Sequence, residues 1–141
     1  MKTSTTPVTA PKWHIVDADG QTLGHLATSV AHVLRGKHKA DFSPHQLCGD
    51  QVIVINASKL AFESKKLKQK EYVSHSGYMG HLKAVKLKEM LEKHPARVIE
   101  HAIKGMLPSN RLRADMLKRL HVYADAEHKH EAQKPSPLTI K

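Results

Sequence analysis

The chain has 141 residues, with 23 lysines and arginines against 13 acids for a formal charge of +10, and a single cysteine, Cys48. That length suits one domain with a modest core, the charge points to a polyanionic partner, and a lone cysteine forbids an internal disulfide. No apolar run approaches the roughly 20 residues of a membrane helix.

The Thr- and Pro-rich residues 1–12 read as a flexible tail, neither secretory signal nor organelle transit peptide. Order is expected from Trp13, where Trp13, His14, Ile15 and Val16 form a strand closed by the turn residues Asp17 to Gly20. Leu23, Leu26, Ala27, Val30, Ala31 and Leu34 then recur at helical steps, and Gly36 stands where a left-handed terminating residue belongs. The nearly continuous run Val52 to Ile55 predicts a central strand buried on both faces, parallel to the first because the helix supplies the crossover. Tyr72 to His75 predicts a third strand. From Leu82, the positions of Val85, Leu87, Met90 and Leu91 predict a helix, with another from Pro95 to near Gly105.

Gly105 and Pro108 predict a fixed bend carrying a basic helix, with Leu112, Met116 and Leu120 on its apolar side. His121 to Tyr123 predicts a last strand, and residues 125–141 an extended C-terminal arm beyond a single α/β domain over 13–124.

Three basic clusters carry the functional signal. Arg35, Lys37, His38 and Lys39 follow the first helix; Lys65, Lys66, Lys68 and Lys70 form a second group; Lys104, Asn110, Arg111, Arg113, Lys118 and Arg119 form a third. One such cluster is ordinarily a solvated face, but three with this net charge suit a phosphate backbone. No segment joins a dense basic face to an apolar face with Trp or Phe, which disfavours membrane binding. Six aromatic residues without an alternating motif do not make a platform for unpaired bases, and no zinc finger, zipper or clear helix-turn-helix reads DNA. The chain therefore reads as a protein fitted to folded RNA through phosphate and ribose, with no small-molecule substrate.

Catalytic and ligand-binding readings are weaker. His45 and Cys48 have a metal-like spacing that His128 and His130 could complete only from far away, and the bland alternative is a buried thiol beside a surface histidine, so no metal site is assigned. The turn Asp19 to Gly24 enters a helix after a strand but lacks the third glycine of a dinucleotide fingerprint, and Gly36–Lys37 lacks the remainder of a phosphate loop. A small α/β nucleotide-binding protein or enzyme stands as the alternative. No catalytic residue and no cofactor is assigned.

At this point the residues resemble a family, the universal large-subunit ribosomal protein thirteen in its bacterial or organellar form, from Trp13 to about Pro137. The matching blocks are Val16 to Ala18 with Leu23, Gly24, Leu26 and Ala27; Arg35 to Lys39; Gly49, Asp50 and Val52 to Ala57; His75 to Tyr78; Lys104 to Pro108; and Val122 to Ala124. The resemblance implies a three-layer α/β/α fold around a small, mostly parallel sheet with extended basic loops and tail. It also implies a non-enzymatic protein bound to large-subunit ribosomal RNA, beside neighbouring ribosomal proteins, and needed early in subunit assembly. A cytoplasmic bacterial ribosome is the implied location, an organellar ribosome the alternative. The RNA contacts it implies are Lys37, His38 and Lys39, the loop His75, Ser76, Gly77 and Tyr78, and the corner from Lys104 and Gly105 to Pro108. His25 departs from the arginine usual in the family, and Arg113 followed by Ala114 from the usual Gly then Arg.

Overall fold

The computed structural model describes residues 7–140, so part of the expected N-terminal tail, and Lys141, lie outside the described residues. The strand β1 (Trp13–Asp17) leads through a turn into helix α1 (Leu23–Arg35), which crosses over to β2 (Gln51–Ile55). Then come α2 (Ser64–Gln69), β3 (Glu71–His75), β4 (Leu82–Lys86), α3 (Leu87–Lys93), α4 (Pro95–Met106), α5 (Arg113–Leu117), β5 (Leu120–Val122) and β6 (Ser136–Pro137). The central sheet runs β5-β2-β1-β6 with every pairing parallel, as expected for an α/β fold, and β3 with β4 makes a separate antiparallel ribbon.

Strand alternation gives the sheet two different faces. Val16, Val52 and Val54, with Leu120 and Val122 beside them, meet Leu26, Ala27 and Val30 of α1 and Ile99 and Ile103 of α4 in one core. Both crossovers advance toward β5, and right-handed connections place their helices on the same face, so α1 and α4 pack on each other. The return from β5 to β6 runs the other way and covers the opposite face. There Trp13 stacks on His121 at 5.5 Å, and His130 of the return segment lies 5.0 Å from Trp13. Among the described residues this second cover is irregular chain with one short 3-10 turn, Glu131–Gln133, rather than an α-helix. Ser136 Oγ donates toward the Trp13 carbonyl at 3.1 Å and lies 2.9 Å from His14 Nδ1, which ties β6 to β1.

Three local expectations need correction. Leu82–Lys86 is a strand, because its five residues pair in full register with Glu71–His75, and so short a run gains little as an isolated helix. The basic helix beyond Pro108 shrinks to five residues, α5, because Leu120 is drawn into parallel pairing with Val52 and the chain must extend to reach it. Gly105 continues α4 rather than bending the chain; the bend falls at Leu107, held extended (φ −79°, ψ 148°) by the proline that follows it.

Candidate nucleic-acid interface

The first basic cluster is built around an acid. Helix α1 ends at Gly36 in the left-handed region, φ 83°, and the chain after it turns back under the strand end before β2. Gly49 passes so close to α1 that a Cβ there would stand 1.7 Å from the Leu34 carbonyl oxygen. This close crossing buries Asp50 completely. Its carboxylate accepts the Lys12 amide at 2.9 Å, His14 Nε2 at 3.2 Å and His38 Nε2 at 2.8 Å, with Lys39 Nζ at 2.6 Å. Burial pushes the Asp50 pKa up, but the Lys39 ammonium, the Lys12 amide and the two imidazoles outweigh it and hold the group down to about 2.

Lys39 is therefore turned inward, its side chain 12% exposed, while His38 reaches the carboxylate from a site that remains a third exposed. Arg35, half-buried, lies over the Phe42 ring at 5.6 Å, and Lys37 is exposed. The fold also joins the first cluster to the third, because the Arg119 guanidinium donates to the Gly49 carbonyl.

The rest of the third cluster faces solvent. Lys104 is exposed on α4, and Asn110 and Arg111 are exposed in the corner. Arg113 is spent on the corner itself, its Nε donating to the Pro108 carbonyl at 3.0 Å and its other nitrogen to Ser109 Oγ. Lys118 pairs at 3.0 Å with Asp115 on the surface, where such a pair is worth little and yields readily. Between α4 and α5 lies an open groove lined by Arg97, His101, Lys104 and Lys118 with one acid, Glu100, and by the apolar Leu117 and Leu120.

Lys65, Lys66 and Lys68 project from α2, all exposed, with a single loose contact of 3.8 Å from Lys66 to Glu63. His75, Ser76, Gly77 and Tyr78 occupy the exposed end of the β3–β4 ribbon, where Gly77 adopts φ 92° and its amide donates to His75 Nδ1 at 3.0 Å.

The alternative chemistries find little support. Cys48 is buried with its sulfur 3.9 Å from the carbonyls of Asp41 and Ser43, His45 is exposed, and His128 and His130 pack near Tyr123 on the far face of the sheet. Among the described residues the grouping with metal-ligand spacing is instead His14, His38 and Asp50. Lys39 already supplies the cation there, so a metal would have to displace an ammonium from a buried carboxylate. In the turn after β1, Asp17 accepts Asn56 Nδ2 at 2.8 Å and the Asp19 amide at 3.0 Å. These bonds, the Asn56 one first, lower its pKa.

Sequence reasoning missed His14 and Asp50 as partners of the first cluster. The available signal was a solitary acid directly before an apolar strand, flanked by a glycine, in a chain otherwise short of carboxylates.

Comparison with known proteins identifies the family. The family model described as Ribosomal protein L13 matches residues 11–129. The chain is 54% identical over 130 residues to Large ribosomal subunit protein uL13 of Clostridioides difficile, covering 92% of this chain and 91% of the relative. The protein of the same name from Thermus thermophilus is 49% identical over 140 residues, 99% of this chain and 100% of its own length. That from Agathobacter rectalis is 57% identical over 127 residues, 90% and 89% respectively. With matches spanning nearly its whole length, this chain belongs to the ribosomal protein L13 family.

Proposed function

We propose that this protein is a structural constituent of the large subunit of the bacterial cytoplasmic ribosome, not an enzyme, and that it holds large-subunit ribosomal RNA. Family membership supports the first part, since the relatives are named as large-subunit proteins. The second rests on one observation above all: Lys37, Lys65, Lys68, Lys104 and Arg111 are exposed on a rigid α/β body, with no acid, base and nucleophile converging beside them. Such cations neutralise phosphates and carry no sequence code, which suits shape-reading of folded RNA. The α/β domain, with its C-terminal segment returning to the sheet edge as β6, provides the scaffold, and the protein supports early assembly by fixing packed RNA helices beside neighbouring ribosomal proteins.

Sedimentation of a cell extract on a sucrose gradient, before and after a high-salt wash, tests this reading. The chain, followed by immunoblot, should stay in the large-subunit fraction through the wash. A pool that is mainly free before the wash would contradict it.

A further inference from the structure

This inference rests on the RNA-holding reading and concerns the ribbon β3–β4, whose two faces differ. Register pairs Tyr72 with Val85 on one face, where Tyr72 meets His101 of α4 edge-on at 5.3 Å. The other face carries Val73 opposite Ala84 and His75 opposite Leu82, and it is open: Val73 is 61% and Leu82 65% exposed. At the tip, Tyr78 is 72% exposed and Met79 99%. Of the six large apolar side chains exposed among the described residues, these four fall within residues 73–82, so the exposure is concentrated rather than scattered.

The tip is nevertheless ordered. Gly77 and Gly80 take φ 92° and 75°, the His81 amide donates to the Tyr78 carbonyl at 3.3 Å, and the His81 ring meets Tyr78 edge-on at 6.1 Å. A turn so fixed holds Tyr78 and Met79 outward, where neither contributes to the core. Behind them, along α2 and the ribbon, the charge is one-sided: residues 64–86 contain six lysines and one acid, Glu71, and Lys83, opposite Ser74, is the one nearest the tip in register.

We propose that Tyr78 and Met79 form a wedge that enters the base stack of large-subunit RNA. Lys83 near the tip, and farther down the ribbon Lys86 and the exposed lysines of α2, hold phosphates of the same RNA. An apolar tip at the end of a cationic ribbon is the chemistry by which proteins unstack a nucleic-acid step: the phenol ring stacks on a base, and the unbranched, polarisable thioether fills the opened step. The one-sided charge favours this occupant over an apolar protein surface, which would gain nothing from the cations along the ribbon behind the tip.

The test is photocross-linking from within assembled subunits. The full chain with Met79→benzoylphenylalanine is expressed in cells, large subunits are isolated on a gradient, and the irradiated product is treated with nuclease. The expected product is a nuclease-sensitive cross-link to large-subunit RNA at one or two adjacent nucleotides. A cross-link to a ribosomal protein overturns the wedge, and so does the absence of any cross-link in subunits that contain the chain. A second measurement avoids the bulky probe. Large subunits carrying Tyr78→Ala with Met79→Ala should show a severalfold change in dimethyl sulfate reactivity at a few clustered nucleotides, and a wild-type pattern overturns the proposal. Failure of the wild-type chain to sediment with large subunits would instead remove the reading on which this inference rests.

Discussion

The loop after α1 and the corner after α4 both carry a basic cluster in the sequence, yet they use their charge in opposite ways. In the loop, Lys39 and His38 close on a buried carboxylate, 2.6 Å and 2.8 Å away, and the Gly49 crossing leaves no room for a side chain. In the corner, Lys104 and Arg111 stand in solvent, and a Cβ at Gly105 would meet nothing within 4 Å. The difference comes from one acid. Where Asp50 is enclosed by the fold, cations are drawn in and become structure; where no acid is enclosed, they stay available to a polyanion.

The largest effect expected from this contrast is at Gly49. Gly49→Ala forces a Cβ against the Leu34 backbone, which cannot move as a side-chain end could. Urea unfolding should show a loss of about 4 kcal/mol or more. Asp50→Asn comes next, because it strands the Lys39 ammonium, 12% exposed, without its counter-charge. A loss of about 3 kcal/mol is expected, and a change near zero would mean that Lys39 simply swings outward.

Acid should dismantle the same hub. The folded Asp50 titrates at about 2, below its ordinary 3.8, so its stabilisation is complete above 3.8 and fades as pH falls toward 2. The loss across that window is about 2 kcal/mol and should be absent in Asp50→Asn. His121 adds a smaller step at higher pH. Burial, then the neighbouring His130, lowers its pKa below 6.5, so its contribution is present above 6.5 and lost as pH falls through the folded value. Trp13, stacked on His121 and the only tryptophan, should report that step by fluorescence. The smallest change is in the corner: Gly105→Ala, in the helical part of α4, should stabilise by about 0.5–1 kcal/mol. Thermal melting that showed a loss instead would break the contrast between the two regions.

Much of this frame was legible in the residues. The period of Leu23 to Leu34, the Gly36 terminus and the continuous run before Asn56 each express a local rule, and parallel pairing follows from the crossover they define. What failed was set by distant partners. Leu82–Lys86 becomes a strand only because Glu71–His75 lies beside it, and the basic helix stops because Leu120 pairs with Val52. The return of Ser136–Pro137 to the sheet edge joins residues more than 120 positions apart and leaves no periodic trace. At the candidate site the basic residues were visible as clusters, but not which of them point outward. That sorting depends on Asp50, which no spacing rule connects to Lys39 or His14.

The most direct test of that sorting is the salt dependence of affinity for large-subunit ribosomal RNA, measured with the full chain and with Lys104→Ala combined with Arg111→Ala. The slope of log affinity against log salt should flatten by about 1.4 to 1.8 for the two lost phosphate contacts, with melting unchanged. A slope equal to that of the wild-type chain would contradict the assignment of the corner to RNA.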